Sequence, residues 1–136
     1  MSQSDDVALQ GSDRQCPLMS NFRKLKVWRK AFSLCLTTHK LAQTARGSEY
    51  ISLRSQLIRA AMSIPSNIAE GREEKTDRGF ASFLRHALRS ATELENHYLS
   101  ARGMGAIPRG GCDSAIDQTV EVKKMLHGLI KTLDTE

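Results

Sequence analysis

From Leu25 onward, residues recur at alternating spacings of three and four: Leu25, Trp28, Phe32, Cys35, His39 and Ala42. That period marks one stripe of an amphipathic helix, predicted over about residues 24–46, with Gly47 as its stop. Tyr50, Leu53, Leu57, Ala60, Ala61, Ile64 and Ile68 repeat the pattern and predict a second helix over about 49–69. Pro65 falls inside it. A proline there withholds the N–H that would bond the Ala61 carbonyl and disfavours helical geometry at Ile64, so a kink or break is expected. Gly71 and the polar run from Arg72 to Lys75 read as a loop. Thr76 or Asp77 then caps a third helix, about 77–102, whose stripe is Phe80, Phe83, Leu84, Ala87, Ala91, Leu94, Tyr98 and Ala101. Gly105, Pro108, Gly110 and Gly111 mark a turn, and Arg109-Gly110-Gly111 reads as part of it. A fourth helix, about 113–133, carries Ile116, Val120, Leu126, Leu129, Ile130 and Leu133.

Four helices with short connections predict an all-α chain, an antiparallel up-down-up-down four-helix bundle over residues 22–136 with a kinked second helix. Residues 1–21 hold three aspartates against one arginine and no apolar run, and read as a disordered N-terminal arm. Projection at 100° per residue shows a second apolar stripe on each of the first two helices. On the first it is Val27, Leu34, Leu41 and Ala45, and on the second Ile51, Ile58 and Met62. An apolar arc of about 220° on the first helix is too wide for one side of a single bundle core. The spare stripes, Val27, Leu34, Leu41, Ile51, Ile58 and Met62, are therefore expected to form an interface between copies of the chain.

Composition adds little until the charge is located. The chain of 136 residues is 40% hydrophobic and only 5% aromatic, with a net charge of +5. The excess is concentrated between residues 22 and 46. Arg23, Lys24, Lys26, Arg29, Lys30, Lys40 and Arg46 lie there with no acidic residue among them. Lys26, Arg29, Lys30 and Lys40 project together, opposite the Trp28/Phe32 stripe. With Arg23 and Lys24 they form a basic strip able to contact successive phosphates of a nucleic acid. Trp28 and Phe32 are expected in the core, leaving Tyr50 or Tyr98 as weak stacking candidates and no base-stacking platform.

Other chemistries lack their residues. The three cysteines are widely and irregularly spaced, against a disulfide framework or a Cys-x-x-Cys site, and suit a reducing cytoplasm. The four histidines lack metal-ligand spacing, no Glu-x-x-His pair occurs, and there is no phosphate-binding glycine loop. His39, on the first stripe, is expected to be a hydrogen-bonded core residue. A non-enzyme without metal or cofactor, and without a membrane span, is expected. Arg59, Ser63, Ser66 and Glu70 line one flank of the second helix, with Asn67 beside Pro65. Asn67 is expected to satisfy backbone groups near the proline. Arg59 and Glu70 are expected to be buried and to pair with each other or with Glu93 and Glu95 as a registration device.

Three strings go beyond periodicity: Val27-Trp28-Arg29-Lys30-Ala31, the run Gln56–Gly71 containing Ser63-Ile64-Pro65-Ser66-Asn67-Ile68-Ala69-Glu70-Gly71, and Phe80-x-x-Phe83-Leu84-x-x-Ala87-Leu88-x-Ser90-x-x-Glu93-Leu94-Glu95. They resemble the four-helix-bundle family of proteins encoded in intervening sequences of bacterial 23S ribosomal RNA. The resemblance spans about Phe22 to Leu133. It implies a ring-like homopentamer and kinship with the basic accessory variability protein of diversity-generating retroelements. Arg89 stands where that pattern has glycine. Two functional readings follow. The first is an oligomeric nucleic-acid-binding protein, for RNA before DNA, using the basic strip; the second is an oligomeric scaffold for a protein partner, without nucleic-acid binding.

Overall fold

The computed structural model describes residues 21–134, so the predicted N-terminal arm lies outside the described residues except for Asn21. A 3-10 turn, Phe22–Lys24, leads into helix α1, Lys26–Ala42. A second turn, Ser48–Tyr50, leads into α2, Ile51–Arg72, followed by α3, Asp77–Met104, and α4, Arg109–Asp134. No strand occurs among the described residues. Helix α2 packs on α3, α3 on α4, and α1 closes the bundle against both α2 and α4.

Local chemistry fixes the ends. The Thr76 hydroxyl accepts the Gly79 N–H at 3.0 Å, the side-chain cap that a helix N-terminus needs. Gly105 closes α3 at φ +73°, and the Ala106 N–H turns back to the Ala101 carbonyl at 2.9 Å. Helix α4 begins four residues earlier than the glycines suggest. Pro108 precedes its first turn, its carbonyl accepting the Cys112 N–H at 3.1 Å, so Arg109-Gly110-Gly111 is helical rather than a turn. Helix α1, by contrast, ends at Ala42 and not near Arg46. The peptide beyond it is held from outside, because the Arg54 guanidinium donates to the carbonyls of Ala45 and Gly47.

Pro65 does not break α2, which runs uninterrupted through it to Arg72. The proline is buried, and Asn67 donates from its side chain to the Ser63 carbonyl at 2.8 Å and the Ser63 hydroxyl at 3.0 Å. Ser63 in turn meets Ser90 of α3 at 2.8 Å. Two residues beyond the carbonyl that Pro65 leaves without its usual donor, a polar bridge thus ties α2 to α3.

The core reverses the two stripes of α1. Val27, Ala31, Leu34, Thr38 and Ala42 are its buried residues, whereas Phe32 is 44% and Leu36 52% exposed. Val27 and Leu34 therefore belong to the core and not to an interface between copies. Leu25, Trp28 and Cys35 pack only against the core's margin, and His39 is exposed, so it is no core histidine. The selecting feature is Thr38, whose hydroxyl accepts the Tyr98 phenol at 2.6 Å. That bond satisfies two buried polar groups at once and makes a polar position the centre of an apolar face. The alanines of the same face let α1 lie close to its neighbours.

Candidate nucleic-acid interface

With the core face of α1 on Val27, Leu34 and Thr38, the outward face is divided lengthwise. One side carries cations and the other carries rings. Arg23, Lys26, Lys30 and Lys40 are exposed, while Lys24 and Arg29 are half-buried. Arg29 donates from its guanidinium to the Arg23 carbonyl at 2.9 Å, which ties the 3-10 turn to the helix. Lys30 sits 3.5 Å from Glu121 of α4, so part of its charge is answered within the chain. Lys26 to Lys40 spans about 21 Å of helix at 1.5 Å per residue. Over that length α1 offers no carboxylate.

Beside the cations runs an aromatic ladder. Phe22 tilts against Trp28 with ring centroids 5.1 Å apart, and Trp28 stacks on Phe32 at 5.0 Å with planes only 15° apart. These rings form one wall of an apolar groove of about 270 Å³, and Met62, Pro65 and Ala69 of α2 form the other. Met62 is 56% exposed. The expectation of core positions for Trp28 and Phe32 is thus corrected: Trp28 is half-buried, Phe32 is exposed, and both face the groove. Periodicity could not separate the stripes, since both repeat at helical spacing. The available signal was size, because Ala31, Leu34, Ala42 and Ala45 share a close-packing face while the bulky rings crowd the other. Tyr98, a stacking candidate from sequence, is fully buried, and burial pushes its phenol up to about 12.

The remaining candidates separate by exposure. Ile51 is 57% exposed, whereas Ile58 and Leu41 are half-buried against the core. Arg59, Glu70 and Glu93 are all exposed, which corrects the expectation of a buried charge pair on that flank. Glu70 receives a long hydrogen bond, 3.4 Å, from Ser66. Glu95 takes Lys123 of α4 at 3.0 Å instead. Registration between α3 and α4 falls to that pair together with Arg102–Asp113 at 2.6 Å and Arg85–Asp134. Arg89 is exposed and meets His86 on the surface of α3.

Among the described residues no group of three or more His, Cys, Asp or Glu side chains is placed to hold a metal ion. Nor is any described helix long and apolar enough to cross a membrane.

Comparison with known proteins places the fold. No curated protein matches the chain. Among solved structures, a protein of unknown function from the S23 ribosomal protein family of Bacteroides thetaiotaomicron VPI-5482 superposes with a TM-score of 0.73 at 24% identity. The match covers 77% of this chain and 98% of that one, and at this identity it speaks for the fold alone. Residues 23–128 match the family described as 23S rRNA-intervening sequence protein, a span that contains α1, α2, α3 and most of α4. The chain belongs to the 23S rRNA-intervening sequence protein family.

Proposed function

We propose that this chain is a non-catalytic nucleic-acid-binding protein that engages phosphates through the outward face of α1, in an antiparallel bundle that associates with copies of itself. The observation that carries the reading is the single-sign face. Arg23, Lys26 and Lys40 are exposed there, and no acidic residue occurs between Phe22 and Arg46. Cations so placed displace condensed counterions from a polyanion, which gives a binding energy that depends on salt and little on sequence. The family's name refers to 23S rRNA, so RNA is the first polyanion to test.

Self-association draws on Ile51, at the start of the α2 stripe, with the half-buried Ile58 beside it, while Met62, as exposed as Ile51, lines the groove. A ring would multiply one weak strip into several acting together. The test is fluorescence anisotropy with a labelled RNA stem-loop. Lys26→Glu with Lys40→Glu should abolish binding in low salt while leaving the far-ultraviolet circular dichroism unchanged; undiminished binding would refute the assignment. These two residues suit the test better than Arg29 and Lys30, whose side chains hold the Arg23 carbonyl and Glu121.

A further inference from the structure

The outward face of α1 is more than a row of charge. Its cations run beside a stacked pair of rings, of which Phe32 is exposed, and the two features lie along one helix. Arg29 is one turn before Phe32, and Lys40 one turn beyond Leu36, so two apolar positions stand between two charged ones along the same strip. Phe32 stacks on Trp28 through one face and is 44% exposed, opening on a groove of about 270 Å³ whose far wall is Met62 and Pro65 of α2. Aromatic surface exposed to water is unfavourable unless something covers it. The cations beside it restrict the choice. They favour an occupant that is itself a polyanion over a second copy of a chain whose own net charge is +5. A nucleic-acid duplex would satisfy the cations, but its base faces are already stacked, and the rings would stay uncovered.

We infer that the groove beside Phe32 receives an unstacked base, so that the proposed nucleic-acid site is a site for single-stranded nucleic acid. The inference rests on the phosphate-binding reading above and names its substrate class. Phosphates follow Lys26 and Lys40, while a base turns inward onto the exposed face of Phe32 and against Met62. Stacking on a ring tolerates any base, since every base has a π face, so the preference is for single strands and not for a sequence. Trp28 lies behind Phe32 in the same ladder and is the only tryptophan in the chain, so its emission reports on the groove without a label.

The experiment compares three probes on the full-length protein in low salt: an oligouridylate dodecamer, an abasic dodecamer with the same phosphates, and an RNA duplex of dodecamer length. Each is titrated while Trp28 emission and light scattering are followed. The expected result is that oligouridylate binds about tenfold tighter than the abasic strand and alone alters Trp28 emission. Phe32→Ala should bring oligouridylate down to the abasic affinity and leave the abasic affinity itself unchanged. Phe32→Tyr, which keeps the ring, should restore the difference, a rescue that excludes a general loss of folding. Equal affinity for all three probes with unchanged Trp28 emission would overturn the inference and leave phosphate binding standing. Failure of every probe to bind would overturn both. Emission that follows protein concentration and not RNA would assign the groove to a second copy and overturn the inference alone.

Discussion

Thr38 and Tyr98 show how one buried hydrogen bond decides which side of a helix faces inward. The bond, 2.6 Å long, joins two side chains with no exposed surface. Removing one partner strands the other, so Thr38→Val is expected to lower stability by about 1–3 kcal/mol in urea unfolding. Burial raises the Tyr98 phenol to about 12, above its ordinary value near 10. The neutral phenol is therefore the form the fold prefers. Its contribution is complete below about pH 10 and is lost as pH climbs towards 12, because the unfolded chain releases the proton first. Thermal melts between pH 9 and 12 should show Tyr98→Phe losing less stability with rising pH than the parent chain. The neighbouring leucines give the same lesson. Leu34→Ala should cost about 2–5 kcal/mol, although the sequence places Leu34 on the spare stripe, whereas Leu36→Ala should change the melting temperature little. Both stripes of α1 were legible in the sequence, but their order was not. A threonine reads as polar until its partner, sixty positions away on another helix, is known.

At the scale of elements, apolar periodicity located all four helices, and the misplacements fell at ends and at proline. Ends are set by single contacts that periodicity does not contain, such as the Arg54 guanidinium on the carbonyls after α1, or Pro108 starting α4 ahead of its glycines. Pro65 passes as a mid-helix residue because its ring is buried and Asn67 and Ser63 rebuild the polar contacts beside it. Glycines separate by their surroundings in a similar way. A Cβ at Gly71 would lie 2.8 Å from the Phe83 Cβ and 3.0 Å from the Phe80 ring, so α2 and α3 meet there without room for a side chain. Gly71→Ala should therefore destabilise by about 1–3 kcal/mol despite the better helix former. A Cβ at Gly128 meets nothing, and Gly128→Ala should stabilise by up to about 1 kcal/mol through helix propensity. Opposite signs for the two substitutions in one denaturation series check the packing of α2 on α3.

Over the whole molecule, the excess of positive charge sits on one stretch, residues 22–46. The acid-free stretch of α1 was legible in the sequence because it needs only counting, and its exposure followed once the core face was fixed. The outward placing of Trp28 and Phe32 was not legible, since they share the period of a core stripe. Ile51 on α2 is exposed and is the residue through which the proposed self-association is tested. Ile51→Asp should shift the mass measured by light scattering towards the 15.1 kDa monomer, and an unchanged mass would move the interface elsewhere.

The claim that joins these scales is that the outward face of α1 binds phosphates by displacing counterions. The dependence of RNA affinity on salt tests it most directly. With three or four contacts per chain, a plot of log affinity against log salt should fall with a slope of about −2 to −3 for single-stranded RNA, and the milder Lys26→Gln with Lys40→Gln, which removes two contacts, should flatten it by about 1.4. A slope near zero in the parent chain, or one unchanged by the double substitution, would contradict the account.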